Sequence, residues 1–442
     1  MEKYIVYDTA LTKADRLVLK ALAADVETQE GVGRGTSDLP QGRDVEQERN
    51  EVQGLSTEDE GTLSYLNGLN DPTSPDFEPT VFQGVDYDGI HWKKPFNQYV
   101  LKHYVSIAKS IVRVDTDVVM LTHLLLYFST SVPSAIYLFF GTFTWIHGVL
   151  HFLMQISYMG AYTLMMHQHI HMRGIFHKSL GAFDHLFPYL LDPLMGHTWN
   201  SYFYHHVKHH HVEGNGPDDL SSTMRYQRDS LPHFLHYFGR FLLFVWLELP
   251  LYFFSKKRYS LGAKTGFWEL SSYAMLYSAY KYNPQAAICV LLLPLALMRF
   301  GMMVGNWGQH AFVDPDEPDS DYRSSITLID VPSNRYSFND GYHTSHHLNP
   351  LRHWREHPNS FLKSRHVYAS QNALVFHNLD YIMLTVKLLT KDYKYLAERM
   401  VPIGEPQLAM TLDERMAHLK SRTRKFTEED LKLKYDWETK YD

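Results

Sequence analysis

Residues 118–166 read VVMLTHLLLYFSTSVPSAIYLFFGTFTWIHGVLHFLMQISYMGAYTLMM, 49 positions without an Asp, Glu, Lys or Arg. A helix that crosses a bilayer needs about 20 mostly apolar residues. The run is therefore long enough for two crossings joined by a tight turn, expected near 118–138 and 142–166. Its approach is basic (Lys93, Lys94, Lys102, Lys109, Arg113), and the next cation after it is Arg173. Cytosolic loops carry the excess of Lys and Arg, so both ends of the hairpin are expected in the cytosol. A large water-soluble helical protein is the competing explanation, but so long an uncharged stretch is rare in such folds.

Two more apolar stretches follow. Leu231–Phe254 is interrupted by Arg240 and Glu248, and Asn283–Phe312 has the core AAICVLLLPLALM. Segment 265–282 is aromatic and amphipathic, as expected of an interfacial helix. The sequence thus predicts an all-α polytopic membrane protein with about four transmembrane helices. One feature opposes this count. Four such spans put Lys256, Lys257, Arg258 and Lys264 on the outer side, against the charge rule, and a re-entrant 241–280 is the alternative.

Composition divides the chain into three regions. Residues 1–90 are expected to be an acidic, largely disordered region. Within it, 25–60 carry 11 acidic and 3 basic side chains, with too little apolar surface to offset the entropy of ordering. Residues 61–90 read as irregular linker, and the first residues lack the basic-then-apolar profile of a secretory signal. Residues 91–360 form the expected membrane catalytic region. Residues 361–442 form a cytosolic, partly interfacial helical segment ending in a charged helix over Leu412–Tyr441. A net charge of −7 gives no global attraction to nucleic acid. The single cysteine, Cys289, excludes an internal disulfide, a Cys-rich zinc module and a four-thiolate iron–sulfur cluster.

Histidine is abundant, at 27 residues, and it is clustered. The clusters are His167-Gln-His169-Ile-His171, then His205-His206-Val-Lys-His209-His210-His211, then His343-Thr-Ser-His346-His347. Asn306-Trp-Gly-Gln-His310 adds an i, i+4 pair. His167 and His171 are also four apart, which places them on one helix face. His123, His147 and His151, inside the hairpin, read as packing or interface residues. The clusters fall on the same expected face, next to apolar spans, where burying titratable groups is costly without a partner. A metal ion is such a partner, and about nine imidazoles exceed the capacity of one ion. There is no His-Glu-x-x-His zinc-protease motif.

The three boxes, their order and the extra Asn-x-x-x-His element resemble the membrane fatty-acid desaturase and hydroxylase superfamily over about residues 110–350. The resemblance implies a four-span helical fold with a cytosolic helical cap holding a non-haem di-iron centre. It implies dioxygen as co-substrate and a lipid acyl chain as substrate. It assigns His167 and His171 to the first box, His343, His346 and His347 to the third, His310 as an additional ligand, and Asn306 as the residue approaching one iron. The second box has two readings. His206, His209 and His210 match the spacing usual in desaturases, while His206, His210 and His211 resemble the alkane-hydroxylase branch, as does Gly196-His197. The second is preferred.

No His-Pro-Gly-Gly haem signature is present, so the implied electron donor is a separate protein, such as a b-type cytochrome or ferredoxin with its NAD(P)H-linked reductase. The implied location is the endoplasmic reticulum membrane, with the site facing the cytosol. The activity expected is that of an acyl-lipid desaturase. A fatty-acid, sphingolipid or alkane hydroxylase on the same scaffold is the alternative, and a non-enzymatic membrane protein with a structural zinc is the third reading. Arg299 reads either as an anchor for a lipid anion or as a snorkelling side chain. Asp184, Asp192, Asp218, Asp219 and Asp340 are candidate carboxylates for orienting ligand histidines.

Overall fold

The computed structural model describes residues 7–8, 11–35 and 57–435. The chain is mostly helical and divides into two compact units. One comprises Thr80–Gln83, Ile90–Trp307 and Lys425–Asp442, the other Met1–Pro79, Gly84–Gly89 and Gly308–Arg424.

In the first unit the uncharged run forms α1 (Val118–Ser129), α2 (Ser131–Phe140) and α3 (Trp145–Met172). The break at Thr130 precedes Pro133, which has no N–H for the carbonyl four residues back. Asn283 closes the far end of the hairpin, donating to the carbonyls of Leu138 and Phe139. After α3 come α4 (Gly181–Leu194), α5 (Leu231–Ser255), α6 (Tyr259–Tyr282) and α7 (Pro284–Gln309), the last with a π-helical turn at Ile288–Leu292.

Three of these stretches are long and apolar enough to cross a membrane: Val118–Phe140, Leu231–Ser255 and Pro284–Gln309. The fourth expected span, α3, has 28 residues. It has the length, and Gln155, Gln168 and five histidines dilute its apolarity. The polar residues of the hairpin bond to one another: His147 Nε2 and His151 Nδ1 each lie 2.9 Å from Ser134 Oγ. The charges interrupting α5 also pair, Arg240 donating to Glu248 at 2.9 Å.

One of the cations that opposed the four-span count has a specific place. Lys256 Nζ lies 2.7 Å from Asp218 and 3.2 Å from Glu213, both just beyond the second histidine box. The opposite end of α5 meets the last turns of α7, where the Asn306 amide donates to Tyr237 Oη at 2.7 Å. Between these ends, Phe241 packs on His205 and Tyr252 on His209. The part of α5 from Phe241 to Tyr252 therefore runs beside the second box. Arg299 has a counter-ion within its own unit. It is buried, 3.4 Å from Glu269 and donating to Tyr273 at 2.9 Å.

The second unit holds the N-terminal helix Lys13–Gly35. Val18, Leu19, Leu22 and Val26 pack into a core with Phe361, Leu362 and Ile403. Residues 25–35 and 57–60, expected to be disordered, are helical, and residues 36–56 lie outside the described residues. Composition missed this because the acidic residues have partners far away in sequence. Asp25 and Asp59 both accept from Arg365, at 2.9 and 2.7 Å. Helix Thr57–Gly68 likewise replaces the first part of the expected irregular linker. A small sheet, β1 (Ile326–Leu328), β2 (Leu374–Phe376) and β3 (Met400–Val401), pairs β1 parallel and β3 antiparallel to β2. The expected C-terminal helix is two helices, Leu412–Ser421 and Glu428–Tyr435.

Candidate metal centre

The first box ends α3, and the local sequence fixes that end. Arg173 adopts a left-handed conformation (φ 58°) and Gly174 follows at φ +122°. A Cβ on Gly174 would lie 2.4 Å from the Asp184 carboxylate. That carboxylate accepts from the Ile175 N–H at 2.8 Å, so only glycine lets the chain turn so tightly. On the last turns of α3, His167 and His171 share a face with their rings 4.8 Å apart. His169 points elsewhere, with Nε2 3.1 Å from the Asp184 carbonyl.

The second box is a π-helix over Phe203–His210. In this winding the residue five positions on returns to the same face. His206 and His211 are five apart, and their Nε2 atoms lie 3.0 Å from each other. His206 Nε2 is 2.8 Å from His167 Nε2. The ligand atoms of His167, His171, His206 and His211 all fall within 4.8 Å of one another.

His209 is outside this group. Its Nε2 accepts from the Leu220 N–H at 2.8 Å, and its ring packs 4.2 Å from Tyr252. His209, His205 and Asp219 also approach one another closely, but the Asp219 oxygens are taken by His210 and Ser221. His210 Nδ1 lies 2.7 Å from Asp219 Oδ2. A carboxylate only accepts, so Nδ1 carries the proton and Nε2 stays bare for a metal. Burial pushes the Asp219 carboxyl up, but the adjacent His210 and His209 imidazoles outweigh it and hold it well below the usual range. Burial, then the neighbouring imidazoles of His211, His167, His171 and His210, drive His206 well below its ordinary value. It is thus the neutral form that metals bind.

In the other unit the third box opens helix His343–Leu348. Gly341 precedes it, and a Cβ there would lie 2.0 Å from Asn334 Oδ1. His310 lies just beyond α7. Its Nδ1 donates to the Ser324 carbonyl at 2.9 Å, and its Nε2 is 3.3 Å from His343 Nε2. The His347 ring is 4.5 Å from His343 and 5.0 Å from His310. His346 is buried beside them, its ring 6.0 Å from His343. Each unit therefore carries one convergent set of imidazoles. Asn306, in the last turn of α7, spends its amide N–H groups on Ser221 O and Tyr237 Oη, leaving Oδ1 as its available ligand atom.

Close nitrogen pairs of this kind test whether a metal fits. Two bare imidazole nitrogens about 3 Å apart repel unless a proton or cation lies between them, and imidazole is a preferred donor for first-row metals. The donor sets present fit such ions.

Beside the first two boxes lies a cavity of about 110 Å³, lined among others by His169, Asp192, His197, Asn200 and Tyr202. Burial lifts the Asp192 carboxyl to about 7, against a hydrogen bond from Tyr162. Burial, with the Arg299 charge, brings His197 down to about 4. Sequence reading noted His197 only for its resemblance to the hydroxylase branch. It is bonded to Thr163 at 2.8 Å, not gathered with the ligand histidines. Tyr202 was missed altogether. Its ring stacks on His197 at 5.5 Å and meets His206 at 5.3 Å, and its only signal was its position four residues before His206.

Comparison with known families finds one match: the model for the fatty acid desaturase family covers residues 143–378, a stretch containing every histidine box. No curated protein and no solved structure matches the chain.

Proposed function

The chain belongs to the fatty acid desaturase family, and as an integral membrane protein of that oxidoreductase family we propose that it desaturates lipid acyl chains with a di-iron centre and dioxygen. The observation that carries this reading is the convergence of His167, His171, His206 and His211, with Nε2–Nε2 distances of 2.8 and 3.0 Å. The proposed ligands are these four with His210, His310, His343, His346 and His347. Asn306 Oδ1 is proposed to approach one ion.

Bound iron supplies one-electron chemistry and a place to reduce dioxygen, which acyl C–H bonds require because they are otherwise unreactive. The protein's contribution is positional. Asp219 fixes the tautomer and plane of His210, and the Ser324 carbonyl does the same for His310. Tyr202 walls the cavity against the first two boxes, and buried aromatic side chains of α5 cover the second box and exclude water. Holding the acyl carbon against the centre in one geometry is the main source of rate and of regioselectivity.

The membrane arrangement proposed has four crossings: Val118–Phe140, α3, α6 and α7, with α5 lying along the histidine side. Three contacts support it. Asn283, after α6, bonds the far end of the hairpin. Lys256, before α6, bonds the segment after the second box. Tyr237, near the start of α5, bonds Asn306. Lys256, Lys257, Arg258 and Lys264 then sit on the cytosolic side, as the charge rule requires. The endoplasmic reticulum membrane, a cytosol-facing site and a separate electron donor complete the proposal.

Hydroxylation is the second reading, favoured by the pairing of His206 with His211, which matches the spacing of the hydroxylase branch. The test is purification with iron and donor, metal analysis, and mass spectrometry of lipid products. About two iron per chain and loss of two hydrogens support desaturation, and an added oxygen supports hydroxylation. His210→Ala or His346→Ala is expected to abolish product while membrane insertion survives. Retained turnover in both variants, or stoichiometric zinc without oxygen uptake, overturns the assignment.

A further inference from the structure

A row of aromatic rings leads away from the first two histidine boxes into the hairpin. Tyr202 stacks on His167 at 6.2 Å with the planes 29° apart. Tyr202 and His197 are 5.5 Å apart at 28°. His197 and Tyr162 are separated by 6.0 Å, Tyr162 and Tyr127 by 5.8 Å, and Tyr127 and Tyr158 by 5.2 Å. No gap between successive ring centres exceeds 6.2 Å. Tyr162 and Tyr127 are fully buried, while Tyr158 reaches the half-buried surface of α3.

Packing alone explains clustered aromatic rings. It does not explain what the hydroxyls do. Tyr162 Oη donates to Asp192 Oδ1 at 2.6 Å. Tyr127 Oη lies 2.9 Å from His123 Nδ1. Each of the two buried phenols thus has its own base at hydrogen-bond distance, and the two bases come from different helices. A phenol is far easier to oxidise when its proton can leave in the same step, because the tyrosyl cation is a very strong acid. Phenylalanine would fill the same space more cheaply, since a buried hydroxyl demands a partner.

We propose that Tyr202, Tyr162, Tyr127 and Tyr158 form a redox relay that carries oxidising equivalents away from the histidine cluster when oxygen is reduced without substrate. This inference rests on the oxidoreductase reading above and adds a second activity to it. The oxidant is the surplus equivalent left by dioxygen reduction in such uncoupled turnover. One electron passes from Tyr162 towards the cluster across the His197 and Tyr202 rings, neither of which loses a proton. As Tyr162 is oxidised, its O–H bond breaks and the proton passes to Asp192 Oδ1, leaving a neutral tyrosyl radical. Tyr127 then returns an electron to Tyr162, which recovers its proton from Asp192, while the Tyr127 proton passes to His123 Nδ1. The radical ends on Tyr127; a one-electron reductant such as ascorbate or a thiol, acting across the half-buried Tyr158 ring, supplies the electron, and His123 returns the proton to the phenol. The ligand histidines are spared oxidation.

The test uses the full-length protein in detergent, loaded with iron, reduced, and exposed to oxygen without lipid. Samples frozen during the reaction are read by electron paramagnetic resonance, with ring-deuterated tyrosine to identify the radical. Oxidised residues are mapped by mass spectrometry. A tyrosyl radical is expected in the wild type. Tyr162→Phe keeps the ring but removes the proton transfer. It should lower the radical yield at least several-fold and raise oxidation of Tyr202 and the ligand histidines, with initial turnover on substrate unchanged. Tyr127→Phe should move or abolish the signal. Iron-loaded, oxygen-consuming wild type without a tyrosyl radical overturns the relay and leaves the oxidoreductase reading standing. So does a Tyr162→Phe variant with unchanged radical yield and oxidation map. A preparation that binds no iron and consumes no oxygen overturns both.

Discussion

The imidazole of His210 donates from Nδ1 to the Asp219 carboxylate at 2.7 Å, and the other carboxylate oxygen is held by the backbone and hydroxyl of Ser221, both at 2.8 Å. Asp219 is therefore fixed on both oxygens before it orients the ligand. Removing such a partner typically costs about 10–100-fold in metal affinity. Asp219→Asn should lower iron retention by that order while the protein still inserts in membranes, as judged by metal analysis after gel filtration in weak chelator. Full retention would show that His210 needs no orienting group.

His209 and His211 differ by two positions and should behave oppositely. His211→Ala removes a nitrogen from the convergent set and is expected to abolish iron-dependent turnover. His209→Ala removes a ring packed on Tyr252 and should leave iron content near wild type, at a cost in thermal stability of about 1–3 kcal/mol. The reverse pattern, with iron lost only in the His209 variant, would mean that the second box uses the other spacing.

Arg299 and Glu269 form a buried ion pair between α7 and α6. Deleting one member of such a pair leaves an uncompensated charge and costs about 3–5 kcal/mol. Arg299→Met alone should lower the unfolding temperature in detergent sharply. Arg299→Met combined with Glu269→Gln should recover most of the loss. A double variant as unstable as the single one contradicts this account.

Burial lifts the Asp340 carboxyl to about 7, although Gln309 donates to it at 2.9 Å. An unfolded Asp titrates at about 3.9. Between about pH 4 and 7 the folded state holds a proton that the unfolded state has lost, so this group makes stability fall as pH rises through that window. Asp340→Asn keeps an acceptor for Gln309 and removes the titration. Its unfolding temperature relative to wild type should climb from about pH 4 to about pH 7 and then level off. Parallel curves for the two proteins would exclude a raised carboxyl.

The hairpin was legible in the sequence because lipid imposes composition directly: a charge inside the bilayer is costly, so its absence over 118–166 is informative. The boxes were legible because 11 of the 27 histidines fall in three short clusters. The ordered helix at 25–35 was not, because its partner Arg365 lies more than 300 residues away and local composition carries no trace of it. The relation of α5 to the second box was hidden for the same reason. Its apolar content satisfies the rule for a crossing, and its contacts through Phe241 and Tyr252 with His205 and His209 leave no trace in local composition. The ion pair of Arg299 was not legible, because a lone intramembrane cation looks available until its counter-ion, thirty residues earlier, is brought beside it.

The π-helical winding of Phe203–His210 bears on how histidine motifs are compared between proteins. Which imidazoles face inward in this stretch depends on the number of residues per turn, so a tighter coil would swap one donor for its neighbour without any change of side chain. Losing one residue here could be absorbed by rewinding the backbone, with the same nitrogens still meeting. Counting the letters between histidines is accordingly a weaker guide to chemistry in the second box than in the first, where the coil is regular and four positions always make one turn.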